Sequence, residues 1–389
     1  MHVIVLERYP SSQRGGQERS LLDVTRELAQ RGHTVTLLHT RSGDLLPQYA
    51  AFCDQIITVR EFNVTRHWRS LPDFLWSVWT ALRQLRGSVR STDTVIYINQ
   101  PYDVPFASLF SAIAQLPLVC HLRLPAPKKL GFQCQLGLGR VRQFISVSEA
   151  NRQGWLARVK APITVVHNGM RPDRFLRQVE LTELRSQWQL NPDDRIISYV
   201  GRMDQMKGIG TLIRAFAQVL DSQPNSQLLI AGKPLQADES YIEELKQLSQ
   251  NLGIHDRVRF LGHVSTPAEV FHLSDLTIVP SQWAEPCARS IIESMLAGTP
   301  VIASRVGGNV ELLADDWASG LFTARDVNDL VTTILNHVNW RSTDSSLGDR
   351  VQAYAQRRFD LADKLNTIEQ VLVQTAAQPQ GEYHVVHSS

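Results

Sequence analysis

Short apolar runs recur along the whole chain, and stretches with helical periodicity separate most of them. The first half contains HVIVL (2–6), TVTLLHT (34–40), QIITV (55–59), TVIYIN (94–99), PLVCHL (117–122) and QFISVS (143–148). The second half contains ITVVHN (163–168), IISYVG (196–201), QLLIAG (227–232), VRFLG (258–262), LTIVPS (276–281) and PVIAS (300–304). Such runs, alternating with helices, are typical of parallel strands buried on both faces of a sheet. Two such series predict an α/β protein with two doubly wound domains.

The polar positions predict the helices and the domain boundary. Apolar residues spaced three and four apart indicate helices, most clearly over 21–31, 210–221, 241–252, 268–273 and 287–297. The stretch 171–194 is polar and poor in strand candidates, so we place the boundary there. We expect a first domain over 1–175, a second over 176–354, a helical segment at about 355–376, and a disordered tail over 377–389.

The composition is that of an ordinary globular protein, with 43% hydrophobic and 20% charged residues. The net charge of +2 does not argue for a nucleic-acid partner. The four cysteines lie far apart and form no CxxC pair, which argues against a zinc site or a disulfide framework and fits a reducing cytoplasm. The first apolar run is interrupted at once by charge, as in a strand and unlike a signal peptide. No run approaches the roughly 20 apolar residues of a membrane-spanning helix.

The distribution of charge is more informative than its sum. Residues 62–148 contain ten basic and three acidic side chains. Within them, residues 66–90 combine arginines with Trp68, Trp76 and Trp79. Such a stretch can form a basic amphipathic helix that lies on an anionic membrane surface. The alternative, which the pattern favours, is a helix that buries its apolar face in the core and exposes its basic face.

Open α/β sheets bind ligands at the carboxyl ends of their strands, so the residues that follow the strands are the candidates for chemistry. Gly15 and Gly16 follow the first strand and precede a helix. Backbone amides at such a place can approach an anion closely, and the helix dipole favours the anion. The spacing differs from the GxGxxG of dinucleotide-binding folds, which argues against an oxidoreductase. A Gly-Gly pair can also form a simple turn.

Two cations follow the first strand of the second domain. Arg202 and Lys207 flank a turn, with Gly201 and Gly208, that leads into the helix at 210–221. Cations and exposed amides at a helix N-terminus suit a multiply charged anion such as a diphosphate. The alternative is a pair of surface cations in a loop, but their place at a strand end favours phosphate.

A histidine and a pair of carboxylates complete the candidate site. His121 lies at the carboxyl end of a buried strand, where it is either a structural core histidine or a contact to a reacting group. Glu285 precedes a helix that Pro286 is predicted to begin, and Glu293 lies inside that helix. With no aspartate cluster nearby, paired hydroxyl groups of a sugar or ribose suit these carboxylates better than a metal. The alternatives are a charge at the helix N-terminus and a solvated helix residue.

Several stretches together resemble the family 4 glycosyltransferases of the GT-B fold. They are RGGQE, LAQRGHTVTLL, VCH, ISVSEANRQ, VVHNGMRPDRF, VGRMDQMKG, LLIAGK, RVRFLGHV and EPCARSIIESMLAGTPVIAS with the following VGGNVELL. The resemblance covers most of the chain and includes the E-x7-E motif, formed by Glu285 and Glu293. It implies two Rossmann-like domains facing across a cleft, the first for the acceptor and the second for the nucleotide-sugar. It also implies a C-terminal helix that crosses back to the first domain.

The resemblance also implies roles for individual residues. Glu285 would contact hydroxyl groups of the donor sugar, and Glu293 would hold the ribose. Arg202 and Lys207 would bind the diphosphate, and His121 would lie beside the reacting sugar. The other implied donor-binding residues are Gly15, Gly16, His263, Val264, Pro286, Cys287 and Ala288.

Three positions in two motifs depart from the family pattern. Cys287 and Ala288 replace an aromatic residue and a glycine, and the extra methyl group of Ala288 affects which donor fits. Val310 replaces a proline in the GGNVE loop. Neither change removes a group that the transfer needs.

The implied activity is transfer of a sugar, with retained anomeric configuration and without a metal, from a UDP- or GDP-sugar to a glycan or lipid-linked acceptor. We expect no cofactor and no nucleic-acid partner. We expect a cytoplasmic protein, attached peripherally to the inner face of a membrane if residues 66–90 form the anionic-membrane surface. The alternatives are a sugar-nucleotide hydrolase or epimerase and a non-catalytic nucleotide-sugar-binding partner protein.

Overall fold

A computed structural model of the protein describes residues 1–64, 69–87, 93–175, 180–234 and 239–377. The chain forms two compact units. The first contains Met1–Gly169 together with Leu361–Ser389, and the second contains Met170–Asp360. The predicted boundary at 175/176 lies a few residues beyond the observed one. Parts of the predicted membrane-binding stretch, residues 66–68 and 88–90, and the predicted tail from residue 378 lie outside the described residues.

The first unit is built on a parallel sheet. Its strands are β1 (His2–Leu6), β2 (Thr34–His39), β3 (Gln55–Thr58), β4 (Thr94–Ile98), β5 (Leu118–Leu122), β6 (Gln143–Ser146) and β7 (Ile163–Val165). Over the described residues they form a seven-stranded sheet in the order β3-β2-β1-β4-β5-β6-β7. The direction in which strands are added reverses between β1 and β4. The carboxyl edge at this reversal is where open sheets of this kind bind ligands.

Helices cover both faces of the first sheet. They are α1 (Gly16–Gln30), α2 (Leu46–Ala50), α3 (Leu71–Gln84), α4 (Val104–Ala114), α5 (Phe132–Leu138) and α6 (Glu149–Leu156). One core lies between the sheet and α3, α4 and α5, and includes Phe74, Phe106 and Phe110. The core on the opposite face contains apolar side chains of α1 and of the last helix of the chain. Burial on both faces explains why the strand sequences are continuously apolar.

The second unit repeats the architecture. Its strands are β8 (Arg195–Val200), β9 (Ser226–Ala231), β10 (Val258–Gly262), β11 (Leu276–Val279), β12 (Val301–Ser304) and β13 (Leu321–Phe322). All are parallel and form a six-stranded sheet in the order β10-β9-β8-β11-β12-β13 over the described residues. The order reverses between β8 and β11. The two predicted doubly wound domains are therefore confirmed.

In the second unit α7 precedes the first strand, and the other helices follow strands. They are α7 (Leu181–Gln187), α8 (Ile209–Ser222), α9 (Ser240–Asn251), α10 (Pro267–Leu273), α11 (Arg289–Leu296), α12 (Asn309–Leu312), α13 (Val327–His337), α14 (Trp340–Thr343) and α15 (Leu347–Arg358). The apolar faces of α8 and α13 pack with β8, β9 and β11 into the main core of this unit. Strand β13 has only two residues, which is too short for the apolar-run pattern to reveal.

The last helix, α16 (Leu361–Ala377), belongs to the first unit, which confirms the predicted crossing helix. It begins later than the predicted residue 355, because α15 ends at Arg358 and remains in the second unit. Between the two helices, the amide of Met170 donates to the carbonyl of Phe359 at 2.8 Å, next to a parallel bridge from Met170 to Asp360. The segment at which the chain enters the second unit is thus hydrogen-bonded to the segment at which it leaves that unit.

Candidate active site

Two loops meet at the carboxyl edge of the second sheet, where its strand order reverses. One follows β8 and contains Arg202 and Lys207, and the other follows β11 and contains Glu285. The loops touch at Gly208, which has a φ of 72°, and a Cβ at this position would lie 2.0 Å from the carbonyl oxygen of Pro280. The amide of Gln282 donates to the carbonyl of Met206 at 2.7 Å. Glycine at position 208 therefore permits the contact that brings the predicted phosphate-binding and sugar-binding residues together.

Lys207 and Glu285 form an ion pair at this meeting point. The Lys207 Nζ lies 2.6 Å from Oε2 of Glu285, and the two side chains are 16% and 9% exposed. Ser281 Oγ and Trp283 Nε1 also donate to Oε2, at 3.0 and 2.9 Å. Three donors thus converge on one carboxylate oxygen, and none of these three bonds uses Oε1. Glu285 is not the N-terminal helix charge of the alternative interpretation, and Lys207 is not a surface cation.

The ionisation of Glu285 follows from these contacts. Burial alone would raise its pKa, but the Lys207 charge and the hydrogen bonds from Lys207, Ser281 and Trp283 outweigh burial. The pKa of Glu285 therefore lies below its ordinary value. The group is a fixed carboxylate at neutral pH, suited to accept hydrogen bonds and not to donate a proton.

A glycine loop supports Glu285 from the other side. Gly307, with a φ of 51°, follows β12, and a Cβ there would lie 2.3 Å from the carbonyl oxygen of Glu285. The amide of Gly308 donates to that same carbonyl at 2.8 Å. The neighbour of this glycine loop is thus the backbone of Glu285. Larger residues at position 307 would displace the carboxylate.

Arg202 is placed more loosely than Lys207. Its guanidinium lies 3.8 Å from Asp204, and its side chain is about a third exposed. The Tyr199 hydroxyl donates to its backbone carbonyl at 2.5 Å and thereby fixes the start of the loop. Arg202 is therefore anchored through its backbone, and its side chain retains contact with solvent.

Helix α11 begins later than the sequence predicted. Its first residue is Arg289 and its N-cap is Ala288, so Pro286 does not occupy the first helical position. Pro286, Cys287 and Ala288 are buried in the loop before the helix. The contacts of Gly307 and Gly308 with Glu285 hold this loop, and they override the helix-starting tendency of the proline. The residues beside Glu285 therefore present loop backbone instead of a helical turn.

Glu293 lies in the middle of α11. Its Oε1 accepts a hydrogen bond from Nε of Arg289 at 3.2 Å, and the Glu293 side chain is 16% exposed. The partly buried pair is inconsistent with a fully solvated helix residue. His263 and Val264 directly follow β10, two strands away from β8, and His263 is exposed. Here the amide of Gly232 donates to the carbonyl of Gly262 at 2.7 Å, which joins the ends of β9 and β10.

His121 lies near the carboxyl end of β5 in the first unit and is 1% exposed. Its Nδ1 is 2.6 Å from the Tyr97 hydroxyl and 3.3 Å from Nη2 of Arg123. A guanidinium can only donate, so Nδ1 is the acceptor and the neutral ring carries its proton on Nε2. Among the described residues, the buried Nε2 has no hydrogen-bond partner. Because the bonds to Nδ1 fix the ring, the Nε2–H donor points in one direction.

The surroundings of His121 keep it neutral. Burial, and next the positive charge of Arg123, lower the pKa of His121 well below its ordinary value of 6.5. Arg123 is itself held by Asn99 Oδ1 at 2.5 Å and Asn168 Oδ1 at 2.6 Å. Sequence analysis did not single out these residues. The sequence feature that could have identified Asn99 and Arg123 is that each directly follows a strand.

The same network reaches the loop that contains Gly15 and Gly16. Asn99 Nδ2 donates to the carbonyl of Gln17 at 3.0 Å, in the first turn of α1. Gly15 caps this helix with a φ of 149°, a conformation that favours glycine. Glu18, in the same turn, is buried and lies 3.6 Å from Arg14. A carboxylate already complements the positive end of this helix, which weakens its attraction for a second anion.

Buried acids form a second feature that sequence analysis missed. Glu7 follows β1, Glu18 lies in α1, and Asp103 follows β4, all near the reversal of the first sheet. Burial, and next the charges of Glu18 and Asp103, raise the pKa of Glu7 well above its ordinary value. This edge of the first unit therefore combines buried carboxyl groups with cations, since Arg8 pairs with Asp103 and Arg14 with Glu18.

The structure thus divides the predicted site residues between the two carboxyl edges. In the second unit, Lys207 and Glu285 are in direct contact, and Arg202, Glu293 and the residues after β10 lie on neighbouring elements. In the first unit, a hydrogen-bond network joins His121 to the helix that begins at Gly16.

Two family models match the chain. Glycosyltransferase Family 4 matches residues 14–174, and Glycosyl transferases group 1 matches residues 181–358. Together the two matches include every predicted site residue. The chain therefore belongs to the family 4 glycosyltransferases, as its motifs predicted, and its two doubly wound units are those of the GT-B fold.

Individual relatives agree with this assignment. The D-inositol 3-phosphate glycosyltransferase of Mycobacterium marinum is 31% identical over 195 residues, which are 50% of this chain and 39% of that protein. The chain thus spans less than half the length of that curated relative. YtcC of Bacillus subtilis, named as a glycosyltransferase, is 27% identical over 82% of this chain and 81% of its own. HepE from Anabaena, solved with UDP-glucose, has the same fold, with a TM-score of 0.80 at 24% identity over 96% of this chain and 100% of HepE.

Within the described part of the chain, no helix combines the length and the apolar character that crossing a bilayer requires.

Proposed function

We propose that the protein is a retaining glycosyltransferase that moves a sugar from a nucleotide-diphosphate sugar to a hydroxyl group of a glycan or lipid-linked acceptor. The observation that carries the proposal is the Lys207–Glu285 pair at the reversal of the second sheet. A diphosphate next to a sugar is the ligand that needs a cation and a hydroxyl-binding carboxylate side by side.

Lys207 and Arg202 bind the diphosphate and stabilise its charge as it departs. Lys207 is already held at 2.6 Å from its carboxylate partner, so little reorganisation is needed when the charge develops. Fixed donors of this kind contribute about 3–4 kcal/mol each to transition-state stabilisation. Glu285 accepts hydrogen bonds from sugar hydroxyls through Oε1, while its Oε2 retains its protein donors. Glu293 holds the ribose.

His121 contacts the reacting sugar through Nε2–H. An unpartnered buried donor costs about 1–3 kcal/mol, and a sugar hydroxyl would satisfy it. The ring cannot serve as general base through this nitrogen, because it is neutral and Nε2 already carries a proton. His121 therefore orients the sugar and leaves proton transfer to another group.

The transfer itself takes place on one face of the sugar. The acceptor oxygen forms its bond to the anomeric carbon as the bond from that carbon to the diphosphate oxygen breaks. The acceptor proton passes to the departing phosphate oxygen, so that configuration is retained and no enzyme nucleophile is needed. The reaction requires no metal, because Arg202 and Lys207 neutralise the phosphate charge.

A UDP-sugar is the first donor to test, since HepE was solved with UDP-glucose. The buried carboxyl groups around Glu7 support an acceptor rich in hydroxyl groups. The protein acts in the cytoplasm, at the inner face of a membrane when the acceptor is lipid-linked. GDP-sugars are the alternative donors.

Thermal unfolding with UDP, GDP, ADP and their sugar conjugates tests the donor site. A ligand at a hundredfold excess over its Kd stabilises by about 2.7 kcal/mol. We expect one nucleotide series to raise the Tm of wild type and of Lys246→Ala, a matched exposed lysine of the same unit, and to lose its effect in Lys207→Ala. No shift with any nucleotide would contradict both the proposed donor site and the nucleotide-sugar-binding alternative.

Product analysis distinguishes transfer from the enzymatic alternatives. With donor and an accepting glycan or glycolipid, we expect a product whose anomeric configuration by NMR equals that of the donor, formed equally with EDTA. Equal donor turnover with and without acceptor would instead indicate a hydrolase or epimerase.

A further inference from the structure

Large apolar side chains are exposed together on one face of the first unit. Of the twelve exposed large hydrophobic residues among the described ones, half lie on α3, α5 and the turn before α4. They are Leu75, Trp76, Trp79, Tyr102, Phe132 and Leu136. Single exposed apolar residues are ordinary, but six on adjoining helices of one face are typical of an interaction surface. We call this group, with its neighbouring cations, the α3–α5 surface.

Helix α3 has apolar residues on two opposite sides. Phe74, Val78 and Ala81 are buried against the sheet, as the core-facing interpretation predicted. The opposite side carries Trp76 and Trp79, which are 36% and 51% exposed. Along this exposed stripe, the apolar residues are followed by Arg83 and Arg86. The solvent-facing side is therefore not simply basic, and the core does not account for its tryptophans.

Helix α5 extends the apolar group. Phe132 and Leu136 are one helical turn apart and are 77% and 71% exposed. Helix α4 packs against both α3 and α5, so the three helices lie side by side on one face. This face contains the most exposed large apolar side chains of the described residues. Residues 66–90 alone did not predict this extension.

Cations surround the apolar side chains. The Arg60 guanidinium lies 4.3 Å from the ring of Trp76, and that of Arg83 lies 5.2 Å from Trp79. Further exposed cations of the same face and its loops are Arg86, Lys128, Lys129 and Arg140. Asp73 on α3 is paired with Arg60 at 3.0 Å. Aromatic residues bordered by cations match the interface of an anionic bilayer, where rings enter the headgroup layer and cations contact phosphate.

The position of the surface has a functional meaning. Helices α3 and α5 follow the carboxyl ends of β3 and β5, and the exposed tryptophans lie in the first nine residues of α3. Both helices thus begin after strands that end at the sheet edge that also carries His121 and Glu7. We propose that the α3–α5 surface docks the first unit on an anionic lipid bilayer. If the proposed transferase activity holds, docking brings this edge to a lipid-linked acceptor.

Vesicle binding by the full chain tests the proposal. We expect sedimentation with phosphatidylglycerol-containing vesicles at least tenfold stronger than with phosphatidylcholine vesicles, and weaker at high salt. Trp76→Ala/Trp79→Ala and Phe132→Ser/Leu136→Ser should each lower the partition coefficient about tenfold or more. Arg83→Gln should lower it about fivefold. The control Val373→Ser alters an exposed apolar residue of α16 on the opposite face and should bind normally.

Three results would overturn the assignment. The first is equal binding of wild type to anionic and neutral vesicles, or binding to neither. The second is undiminished binding by both double variants. The third is a concentration-dependent dimer by light scattering that the tryptophan variant loses, which would assign the surface to a second copy of the chain.

Two further measurements separate the surface from folding and from the donor site. Brominated anionic lipids should quench wild-type tryptophan fluorescence, which tests contact without any substitution. The UDP-induced thermal shift should be unchanged in the folded variants. Loss of donor binding with normal vesicle binding would contradict the transferase proposal alone, and the reverse would contradict the membrane proposal alone.

Discussion

The carboxylate of Glu285 shows how a residue is prepared for ligand binding by its neighbours. Its charge is fixed through one oxygen by Lys207, Ser281 and Trp283, and its backbone is held by Gly308. The ligand thus meets a group that needs no reorganisation before it accepts hydrogen bonds.

Glu285→Gln should destabilise the protein at neutral pH by about 3 kcal/mol, because it leaves the Lys207 charge in a mostly buried site. The lowered pKa of Glu285 gives the sign of the pH dependence. Its stabilisation is complete above the unfolded-state pKa of about 4.5 and is lost as pH falls through the lower folded-state pKa. Urea unfolding at pH 7 and below pH 4 should show a wild-type advantage that shrinks in acid. Glu243→Gln, at an exposed pair, is the control, and a pH-independent difference would argue against the ion pair.

His121 should remain neutral across the physiological range. Its ring signals in NMR should not titrate around pH 6.5, because its pKa is well below this ordinary value. As pH falls below 6.5, the unfolded chain takes up a proton that the folded state refuses, so this histidine makes stability decrease with falling pH. The His121→Gln variant lacks the ring signals of this histidine, which assigns them. It also lacks the histidine's contribution to the pH dependence of stability. A titration near pH 6.5 that disappears in the variant would contradict the buried, Arg123-facing placement.

At the scale of elements, the strands were predictable and the loops only in part. Parallel strands buried on both faces are continuously apolar, so twelve of them are visible in the sequence to within a few residues. The start of α11 was wrong because Pro286 is a local signal, whereas the Gly307–Gly308 loop that overrides it comes from another strand. The Arg123 network was missed because its members come from three separate strand ends, and only folding brings them together.

Helix α16 is attached to the first unit by polar contacts as well as by its apolar face. Glu369 lies 2.5 Å from Nη1 of Arg31 and 2.6 Å from Nε2 of His33. Burial would raise the pKa of Glu369, but hydrogen bonds from His33 and Arg31, and their charges, hold it below its ordinary value.

Glu369→Gln should therefore lower stability by about 1 kcal/mol at pH 7. The difference should shrink as pH falls below the unfolded-state pKa of about 4.5 and vanish as pH falls through the lower folded-state pKa. Hydrogen exchange of α16 amides is the measurement, with Gln374→Ala on the same helix as the matched exposed control. Unchanged protection of α16 in Glu369→Gln would show that its apolar face alone retains the helix.

At the scale of the whole molecule, one unit is continuous in sequence and the other is not. The second unit is a single segment, whereas the first needs both ends of the chain. Apolar side chains of α16, including Leu365, Ile368 and Leu372, fill the core beside α1. Removing the helix would expose that core to water.

A chain that ends at residue 360 should therefore bind the dye ANS and aggregate, while an excised segment 170–360 should unfold in one cooperative transition. Differential scanning calorimetry and ANS fluorescence measure both. A soluble 1–360 chain that melts like the full protein without binding ANS would contradict the requirement for α16.

Because the first unit consists of two separate segments, its parts are synthesised at different times. Met1–Gly169 of the first unit emerge first, but the helix that closes this unit is made only after the whole second unit. Translation of residues 170–360 takes roughly 10–40 s at about 5–20 residues per second. During that interval the second unit can fold, while the groove that awaits α16 stays open on the first. Nascent chains stalled in this window should therefore be clients of chaperones that recognise apolar grooves, and release of the final helix should end that dependence.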